Sequence, residues 1–202
     1  YTLVAGSGDT DNDAFSITEG VLYASEVFDF ETQSTYEIRV EAETASFGSV
    51  TGEFSITIND LNEAPGTLSL SSATVLENEV VGTEVGTFSA TDQDASESFT
   101  FALVVGDGDD DNSSFSIDDD ALKTGEVFDF ETQSSYSIRV KVTDAGGETR
   151  EEIFNIIITD EEEAPTALNL SNSELPENEE SETLIGTFSA EEIGRASCRE
   201  RV

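Results

Sequence analysis

The hexapeptide Phe28-Asp29-Phe30-Glu31-Thr32-Gln33 occurs twice in this chain, because it returns unchanged as Phe128-Asp129-Phe130-Glu131-Thr132-Gln133. Other short motifs recur in the same register. They are Gly8-Asp9 with Gly108-Asp109, Glu63-Ala64-Pro65 with Glu163-Ala164-Pro165, Glu77-Asn78-Glu79 with Glu177-Asn178-Glu179, and Gly86-Thr87-Phe88-Ser89-Ala90 with Gly186-Thr187-Phe188-Ser189-Ala190. A fixed period makes each repeat one structural unit. The chain is therefore predicted to be an array of one domain type.

The period also predicts the domain boundaries. The ranges are 1–65 for a first repeat that lacks its beginning, 66–165 for a complete second repeat, and 166–191 for the start of a third. A repeat of this size can bury a core of its own. Pro65 and Pro165 close the two linkers, and proline favours extended geometry in the residue before it. Short, stiff connectors are expected between the repeats.

Apolar and polar residues alternate along the strands that the sequence predicts. The inward sets are Tyr36, Ile38, Val40 and Ala42 in the first repeat, Tyr136, Ile138, Val140 and Val142 in the second, and Phe54, Ile56 and Ile58 with Phe154, Ile156 and Ile158 in the closing strands. Period-two alternation is typical of half-buried strands. About seven strands in each repeat, separated by Gly, Asp, Asn and Ser turns, predict an all-β chain of tandem Ig-like antiparallel Greek-key β-sandwiches.

The charge of the chain limits its partners. Its 45 acidic and 8 basic residues give a formal net charge of −37. Such a surface repels nucleic acid and anionic lipid, so the expected inorganic partner is a cation. The sequence has no apolar run long enough to span a bilayer and no pattern of a signal peptide.

The last eleven residues, 192–202, differ from everything before them. They break the repeat and contain Cys198, the only cysteine, together with Arg195, Arg199 and Arg201. This stretch looks like a translated sequencing adapter and is excluded from the fold prediction; the alternative is a natural basic tail. The rest of the chain has no His and no Cys, so imidazole and thiolate metal sites are not expected there.

Residues 1–191 resemble tandem cadherin repeats of the kind found in large bacterial surface proteins, because Asp-x-Glu and Glu-Ala-Pro recur and an Asp-x-Asp is present at Asp92 and Asp94. The resemblance implies a cadherin-like fold and calcium ions bound where consecutive repeats meet. The ligands that it implies at the first junction are Asp29, Glu31, Asp60, Asn62 through its backbone carbonyl, Glu63, Asp92, Asp94 and Asp144. Those implied at the second are Glu77, Asp129, Glu131, Asp160 and Glu163, and Glu177 would serve a third.

The chain departs from the family pattern at three places. Each linker is one residue shorter, with a single Glu where the family has Asp-Asn; Glu162 replaces an Asn; and Thr44 stands where the second repeat has Asp144. Fewer ions or weaker binding are therefore expected. Calcium still suits the site, because it takes six to eight hard oxygen ligands in flexible geometry.

A second acidic stretch, at Asp107, Asp109 and Asp111 with Asp118, imitates the spacing of an EF-hand loop. The first repeat does not reproduce the full spacing, since its acids fall at Asp9, Asp11 and Asp13 and appear shifted by two. A solvated turn is favoured for this stretch, and an auxiliary calcium site is the alternative.

Three functions compete at this point. The pair Asp29 and Glu31 would suit a glycoside hydrolase, but the same pair recurs in the second repeat, and we predict that the chain is not an enzyme. A carbohydrate-binding β-sandwich module of a secreted protein is the alternative function, with Tyr23 as an exposed aromatic that Lys123 replaces in the second repeat. The favoured prediction is a calcium-stiffened, extracellular or cell-surface adhesin segment. Its expected partners are calcium, neighbouring repeats, and a second cell-surface protein or a glycan.

Overall fold

The computed structural model describes residues 1–94, 98–165 and 167–191. The chain divides into two compact units. The first unit contains Tyr1–Glu63 and a short segment that begins at Asp92; the second contains Ala64–Thr91 and the described residues from Ser98 onward. The predicted tail at 192–202 lies outside the described residues.

The first unit has five strands. They are β1 (Thr2–Leu3), β2 (Phe15–Thr18), β3 (Val21–Ala24), β4 (Thr35–Thr44) and β5 (Gly48–Thr57). Strands β1, β4 and β5 form one antiparallel sheet in that order, and β2 pairs with β3 in a separate hairpin. A small core of Ala14, Phe15, Tyr36 and Ile38 lies between them.

The second unit contains a complete sandwich of eight strands. They are β6 (Leu68–Leu70), β7 (Thr74–Leu76), β8 (Glu84–Ala90), β9 (Thr100–Leu103), β10 (Phe115–Asp118), β11 (Ala121–Thr124), β12 (Ser135–Thr143) and β13 (Thr149–Thr159). Two four-stranded sheets, ordered β10-β11-β8-β6 and β7-β13-β12-β9, enclose one core. All of these pairings are antiparallel except β7 with β13, which run parallel.

Two further strands follow, β14 (Ala167–Leu170) and β15 (Phe188–Glu191), and they pair antiparallel. In the described part of the chain the helical segments are two 3-10 turns, Asn12–Ala14 and Asn112–Ser114. The all-β prediction is therefore confirmed. Within the same residues, no helix is both long enough and apolar enough to span a membrane.

The alternation in β12 and β13 produces the predicted core of the sandwich. Ile138, Val140, Val142, Ile156 and Ile158 are all 0% exposed. Strands place successive side chains on opposite faces, so these residues point inward while their neighbours on the same strands lie outside. Burial of apolar surface on this scale is the main stabilising term of the sandwich.

The prediction that Phe54 points into a core is wrong, since its side chain is 52% exposed. Its counterpart Phe154 packs against Phe88 of β8, with ring centroids 5.5 Å apart. Among the described residues of the first unit, no strand corresponds to β6, β7 or β8. Ile56 and Ile58 of β5 still pack against the small core, so the inward phase of the strand is correct although Phe54 is exposed.

Candidate metal centres

Three carboxylates of the first unit form the first carboxylate cluster: Glu31, Glu63 and Asp94. Each offers one oxygen, and these oxygens all lie within 4.8 Å of one another. The three residues are far apart in the sequence. Glu31 lies in the turn that precedes β4, Glu63 in the linker after β5, and Asp94 in the segment that begins at Asp92.

Backbone groups hold this cluster in place. The N–H of Glu63 donates to Oδ2 of Asp94 over 3.0 Å, and the N–H of Asp94 donates to Oδ1 of Asp92 over 3.2 Å. One direct hydrogen bond thus joins the linker to the segment at Asp92, a second orders that segment, and Glu31 completes the group.

Four carboxylates of the second unit form the second carboxylate cluster: Glu77, Glu131, Asp160 and Glu163. Their four nearest oxygens also lie within 4.8 Å of one another. Glu131 and Glu163 correspond to Glu31 and Glu63 of the first cluster. The same two motifs therefore build both sites.

Glu77 is the most buried member, with 1% of its surface exposed. Its Oε2 accepts a hydrogen bond from the N–H of Phe130 over 2.8 Å, and its Oε1 accepts one from the N–H of Glu161 over 2.9 Å. Strand β7 places Glu77 immediately after Leu76, and both donors lie on other segments. These bonds satisfy a buried carboxylate and fix the base of the cluster.

Burial and mutual repulsion make these sites unfavourable for negative charge. Burial raises the pKa of Glu63 above its ordinary value of 4.5, and the charges of Glu31 and Asp94 raise it further. Burial likewise raises the pKa of Glu31, with Asp60 and Asp94 adding to the effect. A cation bound among these groups would relieve both effects.

The pKa of Glu131 in the second cluster is raised in the same way. Burial of its carboxylate is the main cause, and the charges of Glu77 and Glu163 add to it. The two clusters therefore share their electrostatic character as well as their motifs.

Three carboxylate oxygens are buried without any hydrogen-bond partner among the described residues. They are Oε2 of Glu63, Oδ2 of Asp92 and Oε2 of Glu163. A buried charged oxygen without a partner is costly unless a counter-ion is present. Hard oxygens from several loops are the donor set that calcium prefers. The residues present therefore fit a calcium ion.

Other predicted ligands use their carboxylates for local turns. Oδ1 of Asp29 accepts from the N–H groups of Glu31 and Thr32, and its Oδ2 accepts from the hydroxyl of Thr32 over 3.0 Å. These bonds lower the pKa of Asp29. Asp129 accepts the same two bonds from Thr132. Asp29 with Glu31 and Asp129 with Glu131 both lie outside the strands, in the loop before β4 or β12.

Asp144 belongs to neither carboxylate cluster, and the backbone carbonyl of Asn62 stays a predicted ligand. Oδ1 of Asp144 accepts from the N–H groups of Gly147 and Glu148, over 2.6 and 2.9 Å, in the turn between β12 and β13. The side-chain amide of Asn62 donates to the carbonyl of Glu63. Asp60 is near enough to raise the pKa of Glu31 and Glu63. Glu177 is exposed and belongs to no carboxylate cluster of the described chain.

Asn78 contacts the second cluster, although sequence reasoning did not select it. Its side-chain amide donates to Oε1 of Glu163 over 2.8 Å. The signal was present in the sequence, since Glu77-Asn78-Glu79 is one of the repeated motifs. The resemblance to cadherin repeats implied only Glu77 of this motif as a ligand.

The EF-hand-like stretch forms ordered turns. Oδ2 of Asp109 accepts from the N–H of Gly106, and Oδ2 of Asp111 accepts from the N–H of Ser137 over 2.7 Å. Asp9 and Asp11 make the corresponding bonds to Gly6 and Glu37. The two repeats therefore share the turn bonds at these two positions, whereas Ser7 stands opposite Asp107 and Ser113 opposite Asp13.

Residues 71–159 match the family model described as Cadherin domain. Over 135 residues the chain is 35% identical to Protocadherin Fat 2 of Mus musculus. The aligned region covers 63% of this chain and 3% of that protein. Over 177 residues it is 30% identical to Protocadherin Fat 4 of Homo sapiens. This alignment covers 82% of this chain and 4% of that protein. The chain thus spans only 3–4% of the length of these curated relatives.

Solved structures show the same architecture. Protocadherin Gamma B2 extracellular cadherin domains 3-6 align with a TM-score of 0.65 at 20% identity, over 94% of this chain and 47% of that one. Human Protocadherin-24 EC1-2 aligns with a TM-score of 0.60 at 20% identity, over 77% of this chain and 80% of that one. At these identities the likeness shows the fold alone. The cadherin-like sandwich is confirmed, and the comparisons support cadherin repeats. The named relatives are animal proteins, so a bacterial origin stays a prediction.

Proposed function

We propose that this chain is a calcium-binding segment of an extracellular adhesin, in which calcium ions stiffen the array of repeats. The observation that carries the proposal is the pair of carboxylate clusters, built from the same motifs in both repeats and containing buried oxygens without partners. Repetition favours this function over a single active site, because a feature that recurs in each repeat belongs to the repeat itself.

The donor set favours calcium over magnesium. Magnesium requires a near-ideal octahedral shell and retains several waters, whereas calcium accepts six to eight oxygens at variable angles. The second cluster offers four carboxylates from three segments of the chain, and the backbone holds only part of them in place. The first offers three, which is the basis for expecting weaker binding there.

Binding would connect segments that lie on both sides of a linker in the sequence. Glu31 precedes the linker that ends at Pro65, Glu63 belongs to it, and Asp94 follows it. Without a cation these carboxylates repel each other; with one they share a counter-ion. Any ligand that binds only the folded state also raises its stability. We therefore propose that calcium restrains the linker and stabilises the fold.

Adhesion and an extracellular or cell-surface location are supported by the similarity to protocadherins, several of which are known as structures of extracellular cadherin domains. The chain covers a small share of those relatives, so both belong to the proposal. The net charge of −37 is compatible with a calcium-rich medium, in which acidic surfaces are screened and bridged.

The test compares calorimetric unfolding and small-angle scattering of the chain with calcium and with a chelator. We expect a higher melting temperature and a longer, stiffer particle with calcium. The double change Asp92→Ala, Asp94→Ala should remove most of the effect that arises at the first cluster. The control change Asp110→Ala, Asp120→Ala removes the same charge from exposed positions and should leave the calcium response intact. An equal loss in both variants would contradict the proposal.

A further inference from the structure

Asn78 occupies an unusual backbone position directly after Glu77. Its φ is +61°, in the left-handed region that non-glycine residues seldom adopt. Asn is among the few residues that tolerate it. Asn178, in the same motif of the third repeat, has a φ of +68°. The repeated motif therefore specifies this turn as well as the carboxylate before it.

The turn allows Asn78 to contact two other segments at once. Its backbone N–H donates to the carbonyl of Phe128 over 2.9 Å. Its side-chain amide donates to Oε1 of Glu163 over 2.8 Å. Phe128 precedes the turn that contains Glu131, and Glu163 lies in the linker. One residue thus contacts both chain segments that bring carboxylates to the base of the cluster at Glu77.

The bond to Glu163 determines which of its oxygens remains available. The amide NH₂ is the only part of the Asn78 side chain that can donate to a carboxylate. With Oε1 engaged, the remaining oxygen is Oε2, which is buried and has no partner among the described residues. Repulsion from Glu77 and Glu131 acts to displace this carboxylate, whereas the amide retains it.

We propose that Asn78 is a positioning residue for the cation site at the second carboxylate cluster. It holds Glu163 through Oε1 so that Oε2 is directed to a calcium ion. This inference rests on the proposed calcium function. Residues that orient a metal ligand through a hydrogen bond typically change affinity by about 10- to 100-fold when they are replaced.

The variant Asn78→Gly separates the amide from the turn. Glycine adopts positive φ readily, so the backbone bond to Phe128 is retained while the amide is lost. Asn178→Gly is the matched control, because it makes the same change in the same motif of the third repeat. Both changes are made in a background chain that carries Glu63→Gln and Asp94→Asn. In this background the first cluster contributes little to the calcium signal. Circular dichroism checks that each variant folds.

The measurements are calcium titration calorimetry and thermal unfolding in chelator. We expect Asn78→Gly to bind calcium about tenfold or more weakly than the background chain, with a melting temperature in chelator equal to that of Asn178→Gly. Asn178→Gly should bind like the background.

Each other outcome has a defined meaning. If the background chain binds calcium and Asn78→Gly binds it with the same affinity, the inference is overturned and the proposed function stands. If the melting temperature of Asn78→Gly in chelator falls together with its calcium affinity, the inference is also overturned. Asn78 would then act only on the stability of the fold. If the unaltered chain takes up no calcium, the proposed function itself fails.

Discussion

Oε2 of Glu77 accepts a hydrogen bond from the backbone N–H of Phe130, although the two residues are 53 positions apart in the sequence. The other oxygen of Glu77 accepts from the N–H of Glu161. Only 1% of the surface of Glu77 is exposed, and each of its carboxylate oxygens accepts one backbone hydrogen bond. Glu77 is therefore part of the fold of the second unit as well as a candidate ligand.

Replacing Glu77 by Gln should destabilise the second unit even without calcium. A glutamine can accept only one of the two backbone bonds, and its NH₂ group would face a second donor. A buried donor left without a partner costs about 1–3 kcal/mol. Chemical denaturation in chelator measures the loss.

The control for this change is Glu79→Gln, two residues along the same motif at an exposed position. It should alter the free energy of unfolding by less than about 0.5 kcal/mol. Equal effects of the two substitutions would show that Glu77 has no special structural role.

Replacing Glu31 by Gln should have opposite effects with and without calcium. In chelator, loss of its charge relieves repulsion with Glu63 and Asp94, so the melting temperature should rise. In calcium, loss of a ligand should weaken binding at the first cluster and reduce the gain in melting temperature. Thermal unfolding under both conditions provides the measurement, with Glu43→Gln on β4 as an exposed control. A change of the same sign in both media would be inconsistent with a cation site at Glu31.

Acidification should stabilise the calcium-free chain over a limited pH window. The folded-state pKa values of Glu31, Glu63 and Glu131 are raised above the ordinary value of 4.5. The folded state therefore binds more protons than the unfolded state between 4.5 and the raised values, and its stability increases as pH falls through that range. Above that pH range the three ionised glutamates destabilise the folded state.

Three groups act in the opposite direction at lower pH; one is Asp118, whose pKa lies below its ordinary 3.8 because of the hydrogen bond and the charge of Lys123. Asp29 and Asp129 have pKa values below their ordinary 3.8, mainly because of hydrogen bonds from Thr32 and Thr132. Their contribution to stability is present above pH 3.8 and is lost as pH falls through the lowered values. Melting temperatures in chelator across the pH range should therefore rise and then fall on acidification. A monotonic fall from pH 7 downward would contradict the raised values of the three glutamates.

The repeated sequence provides a matched pair of core substitutions. Ile156 is 0% exposed in the closed sandwich, whereas its counterpart Ile56 is half-buried. Ile156→Ala should cost about 2–5 kcal/mol, in the range found for deletions from a closed core. Ile56→Ala should cost clearly less, because solvent reaches the site already. Calorimetric unfolding compares the two, and a larger cost for Ile56 would contradict the difference in packing between the units.

The sequence predicted most of the fold because alternation and turn residues act locally. The inward positions of β12 and β13 are correct for that reason. Phe54 shows the limit of this reasoning, since its strand phase is right but its burial depends on strands that the described residues of the first unit lack. Burial is a property of the whole sandwich and not of one strand.

The motifs predicted the candidate sites in part. Glu31, Glu63 and Glu163 were expected to meet other carboxylates, and they do. Spacing could not show that Asp29 and Asp144 direct their oxygens to nearby N–H groups, because a short acid can cap its own turn or bind an ion with the same sequence. Asn78 was not predicted because its bond to Glu163 joins residues 85 positions apart.

Calcium titration calorimetry of the full chain, compared with the double variant Glu63→Gln, Glu163→Gln, tests the central claim most directly. The two replaced residues occupy corresponding positions in the two clusters. We predict saturable calcium uptake at both clusters in the unaltered chain, with the larger part of it lost in the variant. No uptake at millimolar calcium, or uptake that the variant retains in full, would contradict the account.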